Sequence, residues 1–180
     1  MPTNSASNPA SKLLKPSPSG VPLRKLDAAE NFLIICIRLW VVENFAEPPH
    51  KLPCWRGGFE AAGLRSSRLG FDALMSLLFT SARPSLQIRY YTCPQTSEDE
   101  RWLLNCATLA QQEKWMLLDS ALGQRLQNAS RKRLIPMLLN LSKDMLNVGM
   151  KLSFLQQQNA TAKTVSAPPP NLIMASNAVH

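Results

Sequence analysis

Residues 32–42, FLIICIRLWVV, are apolar at every position except Arg38, and three acids bracket them at Asp27, Glu30 and Glu43. The run is roughly half the ~20 residues that a membrane-spanning helix requires. It reads instead as a core helix, apolar on most of its circumference, for the remainder of the chain to cover. Asp27 followed by Glu30 is a capping-box pattern, in which each side chain satisfies the other residue's backbone amide. Ile, Val and Trp also suit a strand, but the cap and the length predict a helix over residues 27–45.

The pattern repeats further along. In SRLGFDALMSLLFTSA, Phe71, Leu74, Met75, Leu77 and Leu78 recur at helical spacing, predicting a helix over 67–82 with Pro84 at or beyond its end. Residues 97–112 carry Trp102, Leu103, Cys106, Leu109 and Ala110 on one side. Residues 113–127 carry Trp115, Leu118, Ala121, Leu122 and Leu126, with a polar joint at 111–114, so the two read as an antiparallel hairpin. A last helix within 129–152 has its stripe at Leu134, Leu138, Leu141, Met145, Leu146 and Val148. Pro136 would place its start near Leu134 or kink it. Between these, AEPPHKLPCWRGG (46–58) reads as a loop with Trp55 packing down on the core, followed by a short helix at 59–65. SLQIRYY (85–91) alternates like a strand, which either pairs with another segment, such as residues 149–154, or is an extended linker.

The ends differ in composition. Five of the 14 prolines lie within the first 22 residues, and three more form Pro168–Pro170. Residues 1–25 are read as a disordered basic arm, 26–153 as the helical domain and 154–180 as a disordered tail. The arm holds Lys12, Lys15, Arg24 and Lys25 and no acid, and the tail adds Lys163, so five of the eight net positive charges lie outside the core. Such an arm attracts polyanions without recognising one. Its composition also suits a mitochondrial presequence, but its single Arg and five prolines argue against an amphipathic helix. Cys36, Cys54, Cys93 and Cys106 form no C-x-x-C pair and follow no signal peptide, which predicts free thiols in a reducing, cytoplasmic compartment.

YYTCPQTSEDERWLL (90–104) most resembles a site, with Cys93 ahead of Glu98, Asp99 and Glu100. Neighbouring negative charge disfavours a thiolate, and the two histidines, His50 and His180, lie far away in sequence. Ser97 with Glu100 is a second capping box, and acids in a first turn favour the helix dipole. His50, Cys54, Cys93 and Cys106 offer zinc-type ligands but only one close pair, so no metal site is expected. G-x-S-x-G, P-loop, H-E-x-x-H and G-x-G-x-x-G patterns are absent from the sequence, and neither catalysis nor a cofactor is expected. The best internal basic patch is Arg131, Lys132 and Arg133, with Arg125 and Lys143 as possible neighbours.

The run CPQTSEDERWLLNCATLAQQEKWMLLDSAL, with the Pro-containing last helix ending GMKL, resembles a group of small helical alphaproteobacterial proteins of unknown function. The likeness spans about residues 28–152. It implies a bacterial cytosolic helical protein and no particular activity.

The expectation is a mostly α chain, a compact bundle of about five helices with at most one short β-hairpin or extended segment. Its function would be protein binding or regulation without catalysis, the partner being another protein. The alternative is a nucleic-acid-associated protein using the arm and Arg131–Arg133.

Overall fold

The structure, a computed structural model, describes residues 20–46 and 53–153. These form six α-helices: α1 (Ala28–Phe45), α2 (Trp55–Ala61), α3 (Arg68–Ser81), α4 (Glu98–Gln111), α5 (Trp115–Gly123) and α6 (Asn128–Asn147). The described residues contain no β-strand. The all-α expectation is met.

Both capping boxes are formed. Asp27 Oδ1 accepts from the Glu30 amide at 2.8 Å, and the Asp27 amide donates to Glu30 Oε2 at 3.1 Å. α1 is sheathed on nearly all sides, with Leu33, Ile34, Ile37, Trp40 and Val41 buried. Its neighbours are α2, α3 and α4. The Trp40 indole donates to Asp72 Oδ1 at 2.6 Å, tying α1 to α3. α6 packs against both α3 and α4, and α5 folds back on α4. One core cluster runs through all six helices.

Four local expectations change. Of the expected 46–58 loop, residues 47–52 lie outside the described residues and residues 55–58 are helical, because α2 begins at Trp55 and runs through Gly57 and Gly58. Trp55 and Phe59, one turn apart, are buried against Phe71, with ring centroids 5.2 and 4.8 Å from it. That burial outweighs a glycine cost of about 1 kcal/mol per residue. The expected helix at 59–65 is therefore displaced toward the N-terminus, and a 3₁₀ turn at Arg65–Ser67 precedes α3.

The second concerns residues 85–91, where the linker alternative fits and the paired strand does not: Leu86 and Ile88 are buried and Ile88 is a lone β-bridge residue, but none of the segment is in a strand. Several of their backbone groups bond to side chains at the start of α4. The Gln87 amide donates to Asp99 Oδ2 at 2.5 Å, the Arg89 amide donates to Glu100 Oε1 at 2.9 Å, and the Gln87 carbonyl accepts from Ser97 Oγ at 2.6 Å. Residues 150–153 bond elsewhere, to Gln111, Asp27 and Glu30.

Third, α6 starts at Asn128, a turn and a half before Leu134, and contains Pro136 in its interior. Pro136 and Lys132 are both exposed, so the Lys132 carbonyl that loses its helical donor lies on the solvent side.

Fourth, residues 20–25, read as the end of the arm, belong to the folded body. Val21 and Thr96 exchange hydrogen bonds, the Leu23 amide donates to the Pro94 carbonyl, and Pro22 bridges Gln95 antiparallel. The rest of the arm and the tail from residue 154 lie outside the described residues.

Candidate functional site

The 90–104 stretch builds a buried polar cluster. Glu100, in the first turn of α4, and Arg38, in the middle of α1, are both fully buried and form a bidentate pair with Nε–Oε1 at 2.8 Å and Nη2–Oε2 at 2.9 Å. Arg38 also donates to the carbonyls of Cys93 at 2.6 Å and Gln95 at 2.8 Å. Glu100 accepts in addition from the amides of Arg89 and Ser97. Its two oxygens thus receive four donors, the full capacity of a carboxylate. No lone pair remains for a proton in flight, a metal or a ligand. The cluster fastens the 93–97 lead-in to α1.

Asp99 is similarly committed, accepting from the Gln87 amide and pairing with Arg125, whose guanidinium lies 5.1 Å from the centre of the Trp102 ring. Only Glu98 of the three acids is exposed. The helix-start reading holds for Ser97, whose hydroxyl accepts from the Glu100 amide at 3.0 Å. The acids do more than complement a dipole, since two of them are buried and bonded to specific partners.

The cysteines stay apart from any convergent ligand set. Burial pushes the thiols of Cys36 and Cys106 up to about 12, out of the range of a reactive thiolate. Cys54 is exposed ahead of α2, and Cys93 is half-buried. Among the described residues no group of three or more His, Cys, Asp or Glu side chains is placed to hold a metal ion, and His50 lies outside them.

The basic triplet divides. Arg131 leans back on α5, its Nε 3.5 Å from Asp119 Oδ1, and its guanidinium occupies the space where a side chain at Gly123 would begin. Lys132 and Arg133 are exposed. Arg125 belongs to the Asp99 pair, and Lys143 lies about 15 Å further along α6 than Arg133.

The structure exposes residues that the periodicity placed inside, among them Trp115 at the start of α5 (47%) and Leu146 near the end of α6 (46%); Met116 and Leu117, which lay off the stripe, are 88 and 58% exposed. Trp115 and Leu146 line one groove of about 380 Å³, together with Leu139 and Lys143. The stripe reading holds for Leu118, Leu122, Leu134, Leu138, Leu141 and Met145, which are buried. It fails for Trp115, Leu146 and Val148. A signal was present: Trp115 to Leu118 are four consecutive apolar residues, and a helix burying one stripe cannot cover all four.

The fold and its polar clusters define an all-α domain whose buried charges are engaged in holding helices together. None of its helices is long and apolar enough to cross a membrane, among the described residues. No family model, no curated protein and no solved structure matches the chain.

Proposed function

We propose that this chain is a helical domain that binds another protein without catalysing a reaction, through the face centred on Trp115 and Leu146. The observation carrying this reading is that Trp115 and Leu146, each about half-exposed, line one groove, while Met116 and Leu117, next to Trp115 in the chain, are exposed as well. Single exposed apolar residues are ordinary, whereas a cluster that includes Trp is the composition of an interface centre. The commitment of Glu100, Asp99 and Arg38 to structural bonds supports a non-catalytic role. Four free cysteines and the resemblance to alphaproteobacterial proteins support a bacterial, cytoplasmic setting.

The test compares capture from native lysate by the full chain with capture by Trp115→Ala/Leu146→Ser. A defined protein retained by the first and lost with the second is expected. Identical capture by both rules this face out. The nucleic-acid alternative rests on Lys132 and Arg133, which are exposed with no ion pair among the described residues. Binding to duplex DNA that weakens steeply with salt, and less steeply in Lys132→Ala/Arg133→Ala, would favour it.

A further inference from the structure

A polar cleft of about 450 Å³ lies between the start of α2 and the 3₁₀ turn and first turns of α3, lined by Trp55, Arg56, Arg65, Ser66, Arg68 and Asp72 among others. Trp55 is 1% exposed, and its Nε1 is buried without a hydrogen-bond partner among the described residues. The indoles of Trp40 and Trp102, by contrast, donate to Asp72 Oδ1 and to the Ala121 carbonyl. An indole N–H can only donate, so burying one without an acceptor is a cost that the folded chain leaves open. Three guanidiniums stand around the same cleft. Arg65 and Arg68 share a single oxygen, Glu60 Oε1, at 3.2 and 3.1 Å, so two cations meet one anion. Arg56 lies over the Trp55 ring, 4.5 Å from its centre, and pairs with the exposed Glu43.

We propose that this cleft binds the carboxylate of a small acid, which accepts from the Trp55 indole and pairs with Arg65 and Arg68. A carboxylate only accepts, which suits a buried donor that lacks an acceptor, and the planar fork of a guanidinium matches its two oxygens. Exposed pairs such as those to Glu60 and Glu43 contribute little, so the arginines turn from them to a ligand at small cost. The indole nitrogen is shielded with the side chains as they stand, and the ligand displaces the exposed Arg56 side chain stacked on the ring. Asp72 is the one carboxylate that lines the cleft. Its charge disfavours a dianion, which selects a carboxylate over a phosphate. The volume falls within the range of small-molecule pockets, about 300–1,000 Å³. The cleft shares no residue with the Trp115 groove and stands independently of the protein-binding reading.

The test follows the tryptophan indole signals of the full chain by proton–nitrogen correlation NMR, with Trp55 assigned through Trp55→Phe. Sodium acetate, acetamide, sodium phosphate and sodium chloride are titrated at matched ionic strength and neutral pH. Acetate should move the Trp55 indole proton downfield and saturate, and Arg65→Gln/Arg68→Gln should weaken that binding roughly tenfold or more. Acetamide, which has the same shape and no charge, should leave the signal in place, and this arm needs no variant. A chloride response equal to that of acetate would mean an adventitious ion only and overturn the proposal. Tighter binding of phosphate would reassign the cleft to a phosphate, and an equal response to acetamide would reassign it to a neutral acceptor; both overturn it. So would a Trp55 signal that no solute moves, or an acetate affinity unchanged in the folded arginine variant.

Discussion

Glu100 shows how one side chain serves two levels of organisation. As the third residue of α4 it closes the capping box with Ser97, and as a buried anion it holds Arg38 of α1. Buried ion pairs are often replaceable by apolar residues at little cost. This one differs, because the pair also satisfies four backbone groups, the carbonyls of Cys93 and Gln95 and the amides of Arg89 and Ser97. Glu100→Gln leaves the Arg38 charge without its anion and should destabilise by about 3–5 kcal/mol in urea unfolding. The double variant Arg38→Met/Glu100→Leu should recover little, since those backbone groups lose their partners. Glu30 gives the complementary case. Burial raises its carboxyl above the ordinary 4.5, with Asp27 adding repulsion, while the Asp27 and Ser153 backbone amides pull the other way. A raised folded value means that the folded state holds the proton more tightly, so this contribution is fully present below pH 4.5 and is lost as pH rises through the raised value. Stability of the wild type relative to Glu30→Gln should therefore fall over that window in pH-dependent unfolding; a difference that rises with pH would contradict the sign.

At the level of elements, helix starts proved more legible than helix interiors. A capping box is a local bargain between residues three apart, so Asp27–Glu30 and Ser97–Glu100 could be read directly. The interiors depend on what lies opposite. Gly57 and Gly58 argued for a loop, yet Trp55 and Phe59 bury against Phe71 and a helix results. The alternation of 85–91 argued for a strand or an extended linker, and its Gln87 and Arg89 amides bond to side chains of α4, which no periodicity announces. Pro136 argued for a helix start, and α6 nonetheless runs through it, supported by Leu134, Leu138 and Leu141 packed into the core. Since the proline removes one helical bond at an exposed position, Pro136→Ala should stabilise the protein by about 1–3 kcal/mol, with a raised urea midpoint and an unchanged slope.

For the whole molecule, the informative surface is the one that the fold fails to cover. Trp115 and Leu146 sit in different helices and meet at one groove through the turn at 112–114, where Glu113 adopts a φ of +55°, and the packing of α6 on α4. A residue half-exposed on a folded domain contributes little to its stability, so Trp115→Ala should stay within about 0.5 kcal/mol of wild type in thermal unfolding. A large loss would mean that Trp115 belongs to the core, and the protein-binding face would have to be abandoned. The class of the fold, its capped helix starts and most of its buried leucines could be read in the chain, because they follow from contacts between residues three or four apart. Which polar groups became buried, which apolar residues stayed outside and what partner the 85–91 segment took were settled only when the helices packed. Those outcomes depend on residues as far apart as Arg38 and Glu100, and no local pattern encodes which distant surface will cover a side chain.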